Sequence, residues 1–477
     1  MRNLVSTAAV LVLLALTASA QTYTVLHSFD GTDGAAPYAG LVQGMDGSFY
    51  GMTSDIGLGQ AYHGTIFKIA PGVTFTTLHA FNGLGDGGRP ESALTLTPEG
   101  SFYGVTFGGG FIAAGTVFKY SDGVLTTLHE FDRKAGSFPR GALLLAADGD
   151  LYGTTSDSGD KLETAGTVFR VTPDGGLTII YNFPFEGQDG NTPYGRLVQN
   201  RNGALYGIAN AGGANGDGTI YKIDQAGRVV TLYSFCSLDD CADGTNVQAG
   251  LIQGADGVFY GATYAGGGVT CSPIACGTLF KYTQSGLTKL HTIDFTDGAL
   301  PTASLYQATD GKLYGTASGG GNTEGSFSCS SFGCGTAFSL TPSGTFTLLH
   351  TFCETEDCSD GSFPLAPLVQ GTDGDFYGTT SGGGTSSYGT VFKLSLGLPP
   401  FVKLLPAFGT TGQSIRILGN NLLGTTGVTF NGAPAEFTVN ANSFITAKVP
   451  AGATFGTVQV TAPNGVLSSN VVFHVSR

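Results

Sequence analysis

Asp46-Gly47-Ser48-Phe49-Tyr50-Gly51 recurs with small changes at Glu99, Asp148, Asn202, Asp256, Asp310 and Asp373, giving seven copies of one hexapeptide. Its tyrosines, Tyr50, Tyr103, Tyr152, Tyr206, Tyr260, Tyr314 and Tyr377, stand 53, 49, 54, 54, 54 and 63 residues apart. That period suits propeller blades rather than helical solenoid repeats. An Asp-Gly pair before an alternating apolar segment is also the spacing of a tight β-hairpin.

Three further motifs surround each copy in fixed order. A P-x-x-x-L segment precedes it, as in Pro37 to Leu41 and Pro90 to Leu94, with Val247 replacing the proline in repeat five. A G-T-x-(F/Y) segment follows, at Gly64, Gly115, Gly166, Gly218, Gly277, Gly335 and Gly389. The last is aliphatic-(H/Y)-x-F, as in Leu78-His79-Ala80-Phe81, which drifts in repeat five to Leu290-His291-Thr292-Ile293. Each repeat therefore reads as four short strands, the first innermost and the fourth outermost.

The two ends decide the architecture. Repeat seven runs into Gly397-Leu398-Pro399-Pro400 before any fourth segment, while Leu26-His27-Ser28-Phe29 stands alone ahead of repeat one. An N-terminal strand that completes the last blade would remove the edges an open array exposes. The expected fold is all-β: a seven-bladed β-propeller over residues 21–397, closed by the N-terminal strand, followed by a small immunoglobulin-like β-sandwich over 398–477. The sandwich is read from alternating segments such as Ser414-Ile415-Arg416-Ile417-Leu418 and Thr457-Val458-Gln459-Val460.

The propeller unit resembles the GloVer tandem repeat of secreted bacterial proteins, also described as choice-of-anchor proteins. The resemblance rests on D-G-x-(F/L)-Y-G-x-T, a glycine-rich loop, G-T-V-F-K and T-x-L-H-x-F. It implies an extracellular repeat-built β protein and brings no catalytic residues with it. The C-terminal segment resembles the IPT/TIG family through Pro406, Gly409, Gly412, Gly419, Asn420, Phe430, Gly432, Val449, Pro450, Gly456 and Gly465. That family implies a spacer or interaction module.

Residues 1–20 combine Arg2, an apolar run from Ala8 to Leu16, and Ala18-Ser19-Ala20, the pattern of a secretory signal peptide. The product is expected to be secreted or periplasmic, with no membrane insertion. A formal charge of −14 argues against nucleic acid and anionic membranes. All eight cysteines fall in C-x-x-x-x-C pairs, Cys236/Cys241, Cys271/Cys276, Cys329/Cys334 and Cys353/Cys358, read as local disulfides in an exported chain.

Functional candidates are residues that break the repeat. The position after the first-segment proline reads Tyr38, Glu91, Arg140, Tyr194, Gln248, Thr302 and Leu365. In a propeller it stands at the mouth of the central channel, and a mixed ring there suits a polar ligand. Tyr38, Glu91, Arg140, Tyr194 and Gln248 are the candidate ligand-binding residues. Arg196 joins them, because its position is otherwise Gly40, Ala93, Ala142, Gly250, Ser304 and Pro367; it either reaches into the channel or marks a shifted strand. No catalytic constellation is evident, and His63 has no sequence-fixed partner. The Asp-Gly pairs before most blades, such as Asp33-Gly34 and Asp86-Gly87, read as turns or as oxygen donors for calcium; no other cofactor is expected. Two functions remain open: a non-catalytic protein binding a polysaccharide or cell-surface component, and a polysaccharide lyase or hydrolase with a carboxylate pair such as Glu91 and a loop aspartate.

Overall fold

A computed structural model describes residues 21–55, 63–157, 164–185, 187–200, 202–268, 276–321, 329, 332–355 and 357–476. The expected signal peptide, Cys271, and much of the loops at 158–163 and 322–331 lie outside the described residues. Within them the chain is all-β, with one short 3-10 turn at Asp239–Cys241. Among the described residues no helix is long and apolar enough to cross a membrane.

Each hexapeptide opens the second strand of a four-stranded antiparallel sheet, and there are seven such sheets. In repeat two the order is Thr95–Leu96, Phe102–Thr106, Thr116–Ser121, Val124–Glu130. The motif aspartate and tyrosine clasp the hairpin. Tyr152 donates to Asp148 Oδ2 at 2.7 Å and Tyr260 to Asp256 Oδ2 at 2.7 Å, while Asp148 Oδ1 accepts the Asp150 N–H. Burial and the adjacent carboxylate push the Tyr152 hydroxyl up to about 12.

The glycine after each tyrosine serves neither a bulge nor a backbone crossing. A side-chain carbon at Gly104 would lie 2.5 Å from the Phe118 ring, and one at Gly378 would lie 2.5 Å from Phe392. The position is empty so that the third-strand aromatic can lie across the second strand. The irregularity in the ladder falls instead between strands three and four, for example between Val117 and Phe118, and the same shift recurs in all seven sheets.

The N-terminal strand joins the sheet of repeat seven: Thr22–Ser28 pairs antiparallel with Thr390–Ser395, from Thr22 opposite Ser395 to Ser28 opposite Thr390. The seventh repeat also meets the first through the contacts that join other neighbours. The residue before each first-segment proline has a left-handed backbone, φ 51° at Ala36 and 55° at Arg89. It bridges two repeats: the Arg89 N–H donates to His63 O at 3.0 Å while its carbonyl accepts from Phe107 N, and Ala36 does the same with Tyr388 and Ser54. Rings pack across the boundaries, Tyr50 tilted against Phe102 at 4.3 Å and Phe49 stacked on Tyr377 at 3.9 Å.

One expectation needs correction. The P-x-x-x-L segments are mostly not strands, since the first strand is a two-residue piece beyond the leucine, such as Val42–Gln43. In six repeats a single bridge two residues ahead of the segment, such as Ala35 to Asp55, ties it to the end of the second strand. Repeat four alone has a long first strand, Asn191–Gln199, with a register shift between Tyr194 and Val198.

The fourth-segment histidines are structural. His27, His79, His291 and His350 meet Asp33, Asp86, Asp297 and Asp360 at 2.7, 3.1, 2.7 and 3.2 Å. Tyr181 and Tyr233 meet Asp189 and Asp243 at 2.8 and 2.7 Å. The same aspartates accept backbone N–H groups, Asp33 from Asp30 and Asp86 from Asn82. These carboxylates thus close the loop between repeats. Repeat three has Ala135 at this position, and His129 Nε2 is buried there without a partner.

Cys236–Cys241, Cys329–Cys334 and Cys353–Cys358 are disulfides; Cys276 is also disulfide-bonded, while Cys271 lies outside the described residues. The C-terminal unit packs two four-stranded sheets face to face around Ile415, Ile417, Val428, Phe430, Ile445, Val460 and Phe473. It docks on the hairpin-turn side of the repeats: Arg416 Nε donates to Pro98 O at 3.2 Å, Ser443 Oγ to Met45 O at 2.6 Å, and Phe401 N to Thr372 O at 3.1 Å.

Candidate functional site

First segments from all seven repeats line one cavity of about 510 Å³. Two rings of residues make its wall. The outer ring is the position after the proline, from Tyr38 through Leu365, and the inner ring is the position before the leucine, from Gly40 through Pro367. The inner ring is small because neighbouring first segments converge there: a side-chain carbon on Gly250 would lie 2.9 Å from Ser304 Oγ and 3.0 Å from Arg196 N.

Charge is concentrated on one wall. Glu91 is held by Arg89 Nε at 2.9 Å and by Arg140 Nη1 at 2.8 Å, and Arg140 Nη1 also donates to the Tyr194 hydroxyl at 3.0 Å. The Arg140 guanidinium lies 4.2 Å from the Phe107 ring centre and that of Arg89 lies 4.9 Å from it, so one aromatic ring contacts both cations. Phe107 is in turn stacked on Phe138 at 4.9 Å. Burial raises the Tyr194 hydroxyl above its ordinary value, and the positive Arg140 partly opposes this. The network fixes Arg140 as a rigid forked donor rather than a free arm.

The opposite wall is polar and uncharged. Gln248 Nε2 donates to Asn246 Oδ1 at 3.2 Å, and Asn210 Nδ2 donates to the same oxygen. Tyr38, half-buried, completes the outer ring between repeats seven and two.

Arg196 resolves both alternatives left by the sequence: its strand is shifted, and its side chain also lines the cavity. It keeps solvent-accessible surface although protein surrounds it, as expected for a side chain in an internal channel, and that enclosure lowers its pKa. Lys403, from the first strand of the sandwich, Lys403–Leu405, enters from the turn side and lines the same cavity. Its ammonium is pulled down to about 8, first by burial and then by the positive charge of Arg196.

All six expected ligand-binding residues line this one cavity. Sequence reasoning missed Arg89, Phe107 and Lys403. Arg89 was findable, because it stands two residues before Glu91 on the same first segment and is the only charged residue at the pre-proline position. Lys403 was not, since nothing in a separate domain's sequence reveals where it docks.

The profile of the Gloeobacter/Verrucomicrobia repeat matches residues 11–201 and 161–329. The chain belongs to the Gloeobacter/Verrucomicrobia repeat family. The IPT/TIG domain matches residues 399–475. No curated protein matches this member of the repeat family. Similar solved structures include a candidate gluconolactonase, with 11% identity over 80% of this chain and 94% of that one, at a TM-score of 0.42. The extracellular domain of a candidate hybrid two-component system protein from B. thetaiotaomicron aligns over 95% of this chain and 59% of its own, with 10% identity and a TM-score of 0.48. A candidate 6-phosphogluconolactonase from Bacteroides uniformis aligns over 66% of this chain and 84% of its own, with 13% identity and a TM-score of 0.41.

Proposed function

We propose that this repeat protein is an exported, non-catalytic binding or surface-interaction protein whose loop-rich face takes a polar ligand, a glycan before other classes. In this reading the seven sheets are the blades of a closed propeller, and the IPT/TIG domain serves as spacer on the opposite face. Export is supported by disulfides, which persist in oxidising compartments.

One observation carries the reading. The outer-ring positions of all seven repeats converge on a single cavity, yet Glu91 is the only carboxylate among the described residues lining it. Two arginines bracket that carboxylate. Glycoside hydrolysis in its usual form requires two carboxyl groups flanking the scissile bond, and Glu91 has no second carboxylate beside it among the described residues that line the cavity. The repeated carboxylates and imidazoles elsewhere are used in pairing one repeat with the next. Tyr38 and Tyr194 are suited to stacking on sugar faces, and Arg140 to binding hydroxyls or carboxylates.

A glycan array read beside a polysaccharide turnover screen tests this. Binding without turnover is expected. Product release that substitutions in the loop-rich face abolish would overturn it in favour of a lyase or hydrolase.

A further inference from the structure

The cavity is cationic in an acidic protein. Arg89, Arg140, Arg196 and Lys403 line it against Glu91 alone, four positive charges to one negative, which leaves +3 where the whole chain carries −14. Arg89 and Arg140 are occupied with Glu91. Arg196 and Lys403 have no hydrogen-bond or ion-pair partner among the described residues.

Two unpaired cations facing one cavity is an unfavourable arrangement. Lys403 loses hydration, and the two like charges raise each other's cost. Natural chains seldom hold such a pair without something that offsets it. Here the pair is assembled from two separate units. Arg196 interrupts an inner ring otherwise built of Gly, Ala, Ser and Pro, and Lys403 is brought from the sandwich, whose contacts with Met45, Pro98 and Thr372 hold it on the turn side.

We propose that the cavity is an anion site completed by domain docking, in which an oxyanion of carboxylate, sulfate or phosphate type sits between Arg196 and Lys403. Arg196 offers a planar fork of donors and Lys403 a point charge, a combination suited to an oxyanion. The inference rests on reading this cavity as the ligand site and deepens it: a glycan that enters from the loop-rich mouth would present an acidic group, such as a uronate carboxylate, to the inner cations. A free inorganic oxyanion offers the same chemistry.

Calorimetric titration of the full chain with sodium sulfate, D-glucuronate and glucose, at ionic strength balanced with sodium chloride, tests the site. The expected result is binding of glucuronate or sulfate and none of glucose. R196Q and K403Q should each weaken that binding by about tenfold or more, with R196K and K403R retaining most of it. Sulfate should also raise the thermal midpoint of the parent and not of R196Q. Sulfate binding with this mutational pattern but no glucuronate binding supports the anion site and refutes its use for acidic glycans. Equal affinity in parent, R196Q and K403Q, or no anion binding by the folded chain, overturns the proposal.

Discussion

Replacing Ala135 by aspartate should stabilise the protein by about 2 kcal/mol. Ala135 is the counterpart of Asp33, Asp86, Asp189, Asp243 and Asp297, because its carbonyl accepts from Thr167 Oγ1 at 3.4 Å just as theirs accept from the third-strand threonines. At Asp33, Asp86, Asp243, Asp297 and Asp360 the aspartate takes one hydrogen bond from the fourth-strand histidine or tyrosine and another from a backbone N–H. Repeat three lacks both bonds, and His129 Nε2 is orphaned. A hydrogen bond to a charged group contributes roughly 1.5–3 kcal/mol, and ordering and desolvating the new carboxylate removes part of two such gains. Burial depresses the His129 pKa, so the unfolded chain binds a proton first as pH falls below about 6.5, and the parent loses stability there. In A135D the new carboxylate should raise the His129 pKa and flatten that loss, while the gain itself should vanish as the introduced carboxylate is protonated near about pH 4 and below. Urea unfolding across mildly acidic to neutral pH, with the His129 titration followed by NMR, measures both effects. In an H129F background the gain should fall by about half, since only the backbone bond remains. An A135D protein of parental stability, or one whose gain is the same in H129F, would refute the pairing argument.

Three further outcomes are expected. K403M should stabilise the chain at neutral pH by up to about 3 kcal/mol, an advantage that fades as pH rises from about 8 toward 10.5 because the folded lysine releases its proton first; a pH-independent difference in unfolding free energy between parent and variant would contradict this. G115A should cost about 3 kcal/mol or more, since the new carbon would lie 2.4 Å from Thr106 O and 2.8 Å from Pro139 Cδ at a φ of +97°, whereas G123A, at a φ of +80° in open space, should cost only about 1–2 kcal/mol; equal thermal shifts would count against close repeat-to-repeat packing. Changing Tyr38 and Tyr194 together to Ala should weaken ligand binding by more than about 1 kcal/mol, and unchanged affinity on the array with intact circular dichroism would exclude the cavity mouth.

Much of the fold was legible because the repeat is local and strict. One hexapeptide fixes a hairpin, and the stranded Leu26-His27-Ser28-Phe29 motif fixes its partner at the far end of the chain. The short first strands were less legible, since P-x-x-x-L has strand-like composition in every repeat yet forms a ladder only in repeat four. The Asp-Gly pairs were ambiguous for a different reason: a turn aspartate and a metal-ligating aspartate look alike until the His or Tyr that uses it is seen across the loop. The candidate ring was readable by position, but the Phe107 shelf under two arginines and the entry of Lys403 arise from tertiary packing.

The pairing of Thr22–Ser28 with Thr390–Ser395 sets the order of assembly. The segment synthesised early must wait, unpaired, until repeat seven has emerged. Loop-closure entropy grows only logarithmically with chain length, so the thermodynamic penalty is modest, but the search is slow and long-range. Once made, and until that search ends, Thr390–Ser395 offers a bare edge to any matching strand, including the N-terminal strand of another copy. Folding at high concentration should therefore divert a fraction of molecules into strand-exchanged dimers, each protomer sealing the other's last sheet with contacts identical to those of the monomer.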